Sequence, residues 1–159
     1  MKPSASTPSK TSARLDAASI GCAVNSQRHE PNSRSGSALA ADGYIHNDRY
    51  LQWVHNVCSQ NHHTLYVPHR RETEESMQVA VTAGAAIDNS GSAFEQILCD
   101  APNVHLVYSL PTTPALTAQT IRPDVDLILE NINDWWQQPG LAGMREVVAI
   151  VHEILGEVS

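Results

Sequence analysis

Apolar side chains recur at helical spacing in two long stretches of this chain. In residues 46–60 they fall on one face, and Asn47 or Asp48 is available as the N-terminal cap. Both stretches are predicted to be amphipathic helices, the second covering residues 141–158. Its apolar stripe consists of Leu141, Met144, Val147, Val148, Val151, Ile154 and Leu155.

Between these helices, short apolar runs alternate with helical patterns. Predicted strands cover residues 64–67, 85–87, 104–108 and 127–129, and predicted helices cover 72–84, 93–99 and 115–120. Pro68 closes the first strand, and Glu72, Glu74 and Glu75 lie in the first turn of the helix that follows. The alternation predicts an α/β fold: a small, mainly parallel sheet with flanking helices.

Residues 1–40 differ in composition from the rest. Ser, Thr, Pro and Lys dominate residues 1–13, and Ser, Asn, Arg and Gly dominate residues 25–37. Such stretches bury too little apolar surface to offset the entropy of ordering the backbone. We therefore predict a disordered low-complexity arm over residues 1–40 and one folded domain over 41–159.

Charge and cysteine content narrow the choice of partners and compartment. The 159-residue chain has a formal net charge of -7, which argues against binding to nucleic acid or to an anionic membrane surface. No apolar run is long enough to span a bilayer, and no secretory signal precedes the folded part. Cys22, Cys58 and Cys99 are odd in number and widely spaced, so reduced thiols and a cytoplasmic location are expected.

Familiar metal and cofactor motifs are absent from the sequence. His62 and His63 are adjacent, but no HExxH or Cys/His ligand spacing accompanies them. The chain also has neither GxGxxG nor a Walker P-loop. We predict no metal and no dinucleotide or ATP cofactor of the usual kinds.

Polar residues gather at three predicted strand-to-helix junctions. These are 69–71 (His-Arg-Arg), 89–92 (Asn-Ser-Gly-Ser) leading to Glu95, and 109–113 (Ser-Leu-Pro-Thr-Thr). The carboxyl ends of parallel strands meet at one edge of a sheet, so the three junctions are expected to converge. Cationic side chains and helix N-termini suit an anion, above all a phosphate.

Each junction also has an ordinary structural interpretation. Arg70 and Arg71 would pair with Glu74 and Glu75 on a solvated helix face. Ser92 and Thr113 would be N-caps, and Glu95 a surface residue. Taken singly, each of these interpretations is favoured, whereas the coincidence of three junctions favours a shared site.

Three segments, taken in order, resemble a known family. They are Tyr-x-Pro-His-Arg-Arg-Glu at 66–72, Phe-Glu at 94–95, and Tyr-Ser-Leu-Pro-Thr-Thr-Pro-Ala-Leu at 108–116. Together they resemble the C-terminal, donor-binding half of bacterial sialyltransferases and polysialyltransferases with the GT-B fold. The resemblance covers roughly residues 42 to 130. It implies that 41–159 is a Rossmann-like nucleotide-sugar-binding domain whose donor is a CMP-sugar, CMP-sialic acid.

The resemblance also implies roles for single residues. His69 matches the family histidine that contacts the donor phosphate. Arg70 has no such match, and its charge and its place beside His69 are what predict that it contacts the same anion. Glu95 matches an acidic position that holds the nucleoside. The hydroxyl motif that binds the same phosphate falls on Ser109, Thr112 and Thr113. Pro114 departs from the family pattern, so the hydroxyl that contacts the phosphate is left open.

The resemblance covers only part of a complete enzyme of this kind. GT-B enzymes have an N-terminal domain that supplies the acceptor site and the base, and residues 1–40 do not match one. The expectation is a truncated, sialyltransferase-like chain that binds the donor and needs a second domain to use a glycan acceptor. The alternative is a non-enzymatic α/β module that binds another phosphate ligand or a protein. Trp135 and Trp136 would then belong to an exposed apolar patch, an inter-domain surface or the core.

Overall fold

The structure is a computed structural model that describes residues 23–26, 30–35, 38–61, 63–137 and 142–156, with side chains from residue 38 onward. The strands are β1 (Ala23–Ser26), β2 (Glu30–Ser35), β3 (Leu65–Val67), β4 (Ala86–Ile87), β5 (Leu106–Ser109) and β6 (Asp126–Leu129). The helices are α1 (Ala38–Ala41), α2 (Asn47–Gln60), α3 (Glu74–Thr82), α4 (Phe94–Asp100), α5 (Thr113–Ile121) and α6 (Ala142–Gly156).

The strands form one sheet in the order β4-β3-β2-β5-β6, and each neighbouring pair in this order is parallel. β1 pairs with β2 in the antiparallel sense. From β2 the chain moves outward to β3 and β4, then returns to place β5 on the other side of β2. This is the 3-2-1-4-5 order of doubly wound sheets, in which ligands bind where the direction of winding reverses. The predicted α/β fold with a mainly parallel sheet is confirmed.

Predicted and observed elements agree closely from α2 onward. Strands β3 to β6 and helices α2 to α6 begin and end within two residues of their predicted limits. The N-cap of α2 is His46, without a side-chain hydrogen bond, so the predicted caps Asn47 and Asp48 are wrong. The N-caps of α4 and α5 are Ala93 and Thr112, and the interpretation of Ser92 and Thr113 as caps is also wrong.

The N-terminal region contributes strands that the hydrophobic pattern did not predict. Within residues 1–40, for which a disordered arm is expected, the structure has β1, β2 and the start of α1. β2 lies at the centre of the sheet, between β3 and β5. Residues 1–22, 27–29 and 36–37 of the expected arm lie outside the described residues, as does His62.

The largest core cluster packs α2 against the sheet. Tyr50 and Tyr66 are 1% and 0% exposed, and the rings of Trp53 and Trp135 meet edge to face with centroids 6.3 Å apart. Trp135 is therefore a core residue, while Trp136 is partly buried and lies 5.4 Å from the Arg145 guanidinium. A second cluster joins α4 to β5 through Phe94, Ile97, Leu98, Val104 and Val107. Among the described residues, no helix combines the length and apolar character that a membrane crossing requires.

Candidate functional site

A cleft of about 690 Å³ opens at the carboxyl ends of β3 and β4. It is lined by residues of the β3–α3 loop, the β4–α4 loop and the first turns of α4 and α5. The polar lining includes His69, Arg70, Glu72, Asp88, Asn89, Ser92 and Glu95, and Pro114 lines it from α5. The cleft therefore brings together residues of the first two predicted junctions, and Pro114, which directly follows the third junction, lines it as well.

His69 is half-buried, and local contacts fix the state of its imidazole. Its Nδ1 accepts a hydrogen bond from the backbone N–H of Arg71 at 3.2 Å, so the neutral ring carries its proton on Nε2. Burial lowers the pKa of His69, and the charges of Arg71 and Arg70 lower it further, while Asp42 opposes them. The ring is thus a neutral Nε2–H donor at pH 7.

The two arginines of this loop have different environments. The Arg71 guanidinium pairs with the Asp42 carboxylate at 3.0 Å and ties the loop to the segment after α1. Arg70 is exposed and lines the cleft. The interpretation that Arg71 pairs with Glu74 or Glu75 is wrong, and Glu75 instead accepts a hydrogen bond from Asn47 at 3.1 Å.

Glu72 links the loop to the core beneath it. One carboxylate oxygen, Oε2, accepts the backbone N–H of His69 at 2.8 Å. The other, Oε1, accepts the hydroxyl of Tyr50 at 2.5 Å and the hydroxyl of Tyr66. The two tyrosine hydroxyls are 2.9 Å apart. Glu72 was predicted to start a helix, but α3 begins at Glu74, and the carboxylate serves the preceding loop.

The β4–α4 loop is held by hydrogen bonds among its own residues. Asp88 accepts the backbone N–H and the hydroxyl of Ser90 at 3.2 and 2.8 Å, and Ser90 accepts the N–H of Ser92 at 3.1 Å. Gly91 sits at φ 70°, a conformation that glycine adopts without strain. Glu95 follows in the first turn of α4, exposed and in the cleft lining. The loop thus presents carboxylates opposite the His69–Arg70 loop.

The third junction is arranged differently. Ser109 is 0% exposed, and its hydroxyl donates to the carbonyl of Leu110 at 2.8 Å. The Thr112 hydroxyl donates to the same carbonyl at 3.3 Å, and Thr113 is exposed at the start of α5. These three residues are not among the described residues that line the cleft. Their assignment to a donor phosphate stays a prediction.

The cleft combines two chemical characters. His69 and Arg70 offer hydrogen-bond donors and a positive charge, while Glu72, Asp88 and Glu95 offer carboxylates. This arrangement suits a ligand with an anionic group at one end and hydroxyl or amino groups at the other. Within residues 38–156, as far as they are described, no group of three or more His, Cys, Asp or Glu is placed to hold a metal ion.

The sequence analysis singled out three of the residues that line the cleft, His69, Arg70 and Glu95, but not the residues that support the first loop. Tyr50, Tyr66 and Asp42 contact the first loop, and they come from α2, β3 and the segment after α1. In the hydrophobic pattern of the sequence, Tyr50 and Tyr66 occupy positions expected in the apolar core. Their hydroxyl contacts depend on how α2 packs over β3, which no local spacing indicates.

Comparisons of the chain with protein-family models, with curated proteins and with solved structures found no match.

Proposed function

We propose that the cleft binds the phosphate and nucleoside of a CMP-sugar, CMP-sialic acid, and that the folded part is the donor-binding domain of a sialyltransferase-like glycosyltransferase. The observation that supports this most is the presence of His69, Arg70 and Glu95 in the lining of one cleft. His69 and Arg70 lie in the loop after β3, and Glu95 lies in the first turn of α4, which follows β4. His69 and Glu95 are also residues that the motif resemblance assigns to the donor.

The chemistry of the lining fits a nucleoside monophosphate group. A phosphate oxygen would accept the Nε2–H of His69, and the Arg70 guanidinium would add a charge-assisted bond. Carboxylates such as Asp88 and Glu95 accept hydrogen bonds from hydroxyl and amino groups. The volume of about 690 Å³ lies within the range of small-molecule sites, about 300–1,000 Å³.

Helix α5 adds a second feature that favours an anion. Its second residue, Pro114, lines the cleft, and the side chain of its N-cap, Thr112, makes no capping hydrogen bond. Pro114 has no backbone N–H, and the N–H of Ala115 donates to the carbonyl of Thr112 at 2.9 Å, so this turn favours an anion chiefly through the positive end of the helix dipole. The proposed phosphate would lie between this turn and His69.

The proposal assigns donor binding to the cleft. Transfer to a glycan hydroxyl also needs an acceptor site and a base within hydrogen-bond reach, which a second domain would supply. Cys58 and Cys99 are thiols outside any disulfide, which favours a reducing compartment. A cytoplasmic location is part of the proposal.

Calorimetric titration with CMP, UMP, ADP and inorganic phosphate tests the proposal. The parent is expected to prefer CMP, and His69→Ala is expected to weaken CMP binding about ten- to hundredfold, the loss of one strong hydrogen bond to a charged group. His105→Ala is the matched control, because His105 is exposed and precedes β5 at the opposite edge of the sheet. Equal CMP affinity in the two variants, or no CMP binding by the parent, would contradict the proposal. Equal affinity for CMP and phosphate would favour the alternative phosphate ligand.

A further inference from the structure

We propose that Glu72 is a positioning residue that holds the His69–Arg70 loop in the conformation that binds an anion. The inference rests on the proposed function of the cleft and goes beyond it, because Glu72 is not one of the residues that the resemblance assigns to the donor. It concerns how the protein presents His69 before any ligand arrives.

A reciprocal pair of hydrogen bonds joins His69 and Glu72. The backbone N–H of His69 donates to Glu72 Oε2 at 2.8 Å, and the backbone N–H of Glu72 donates to the carbonyl of His69 at 2.7 Å. Two bonds between the same residues close the four-residue loop 69–72 into a ring. The backbone at His69 therefore depends on where the Glu72 carboxylate lies.

The Glu72 carboxylate is itself held in place by two buried tyrosines. Its Oε1 accepts the hydroxyls of Tyr50, from α2, and Tyr66, from β3. Both rings are almost fully buried, so their hydroxyls have little freedom to move. The conformation of loop 69–72 therefore depends, through Glu72, on the positions of α2 and β3.

Contacts within the protein determine which donor groups of loop 69–72 are available to a ligand. Arg71 is engaged by Asp42 through its side chain and by His69 Nδ1 through its N–H. These contacts leave the Nε2–H of His69 and the guanidinium of Arg70 as donors for a ligand, and both residues line the cleft. Groups held in place before binding lose less conformational entropy when the ligand arrives, which increases affinity.

The test uses Glu72→Ala and two readouts. The first, measured without ligand, is the pKa of His69 from NMR titration. The charged and titratable groups around this imidazole are Arg70, Arg71, Asp42 and Glu72. Removal of the Glu72 charge alone would lower the pKa of His69, whereas release of the loop exposes the ring and raises the pKa toward about 6.5. We expect a rise.

The second readout is the affinity for CMP and for inorganic phosphate, expected to fall about tenfold in Glu72→Ala. Glu75→Ala is the matched control, because it removes a carboxylate from the first turn of α3 and leaves the loop intact. Arg122→Ala controls for lost stability, since Arg122 lies away from the cleft. Neither control is expected to change the pKa of His69. Glu72→Gln keeps one oxygen for the His69 N–H and should restore most of the affinity.

The outcomes separate this inference from the proposed function. An unchanged or lowered His69 pKa in Glu72→Ala, or an equal rise in Arg122→Ala, would overturn the positioning role. If Glu72→Ala does not fold, Tyr66→Phe decides with the same readouts, since it deletes one hydroxyl and keeps the ring in the core. If the parent binds neither CMP nor phosphate, the proposed function fails, and the His69 pKa still decides whether Glu72 holds the loop.

Discussion

Loop 69–72 shows which features of the site can be predicted from residue types and which cannot. The residues that meet in the cleft, His69, Arg70 and Glu95, were predictable because each follows a strand and has a side chain that suits a nucleotide. The state of His69 was not predictable. Its ring is neutral because it is half-buried beside two arginines and because Nδ1 accepts an N–H. Those facts depend on tertiary packing.

The lowered pKa of His69 makes stability depend on pH. The unfolded chain binds the imidazole proton near pH 6.5, while the folded protein binds it only at lower pH. The contribution of His69 to stability is therefore complete above about pH 6.5 and is lost as the pH falls through the lowered pKa of the folded state. We expect urea unfolding at pH 7.5 and pH 5 to show a smaller drop in unfolding free energy for His69→Gln than for the parent. An identical drop in both proteins would show that His69 does not contribute.

At the scale of elements, the connection between α4 and β5 is held by one arginine. The Arg122 guanidinium donates to the carbonyls of Leu98, Ala101 and Val104 at 2.9–3.1 Å, and it pairs with Asp124 at 2.7 Å. Its side chain is 14% exposed. It therefore satisfies carbonyls at the C-terminus of α4 that have no partner within the helix.

Loss of this arginine should destabilise the fold without changing the cleft. Arg122→Ala removes the guanidinium donor from the carbonyls of Leu98, Ala101 and Val104, although Ala101 keeps the N–H of Val104. We expect a loss of about 2–3 kcal/mol in unfolding free energy. Denaturant titration measures it. Arg145→Ala, on the exposed face of α6, is the comparison for a surface arginine. A loss below about 0.5 kcal/mol in Arg122→Ala, typical of surface changes, would contradict the capping role.

Some elements of the fold could be predicted from the sequence and others could not. Strand β5 and helix α6 could be predicted from local sequence patterns. Apolar residues that alternate along a strand, or recur every 3.6 residues along a helix, mark the face that the element buries. Strand β2 could not be found this way, since residues 32–35 read Asn-Ser-Arg-Ser. Its place in the sheet depends on pairing with β3 and β5 on either side. Such long-range pairing has no local signal.

At the scale of the whole molecule, strand order explains why separate loops meet. β3 and β5 both run parallel to β2, and β4 runs parallel to β3, so the loops that follow these strands lie at the same edge. The expected convergence of the first two junctions agrees with the cleft, and Pro114 brings α5 to it. The hydroxyls of Ser109 and Thr112 donate to the carbonyl of Leu110, a local turn that the sequence did not indicate, and their contact with a phosphate stays a prediction.

CMP is proposed to bind at the carboxyl edge of the sheet. This binding can be tested by titrating the ¹⁵N-labelled full chain with CMP and following the amide chemical shifts. We expect saturable shifts in residues 69–72 and 88–95 and in the first turn of α5, with the loops at 102–105 and 122–125 on the opposite edge unchanged. Shifts confined to those opposite loops, or none at saturating CMP, would contradict it.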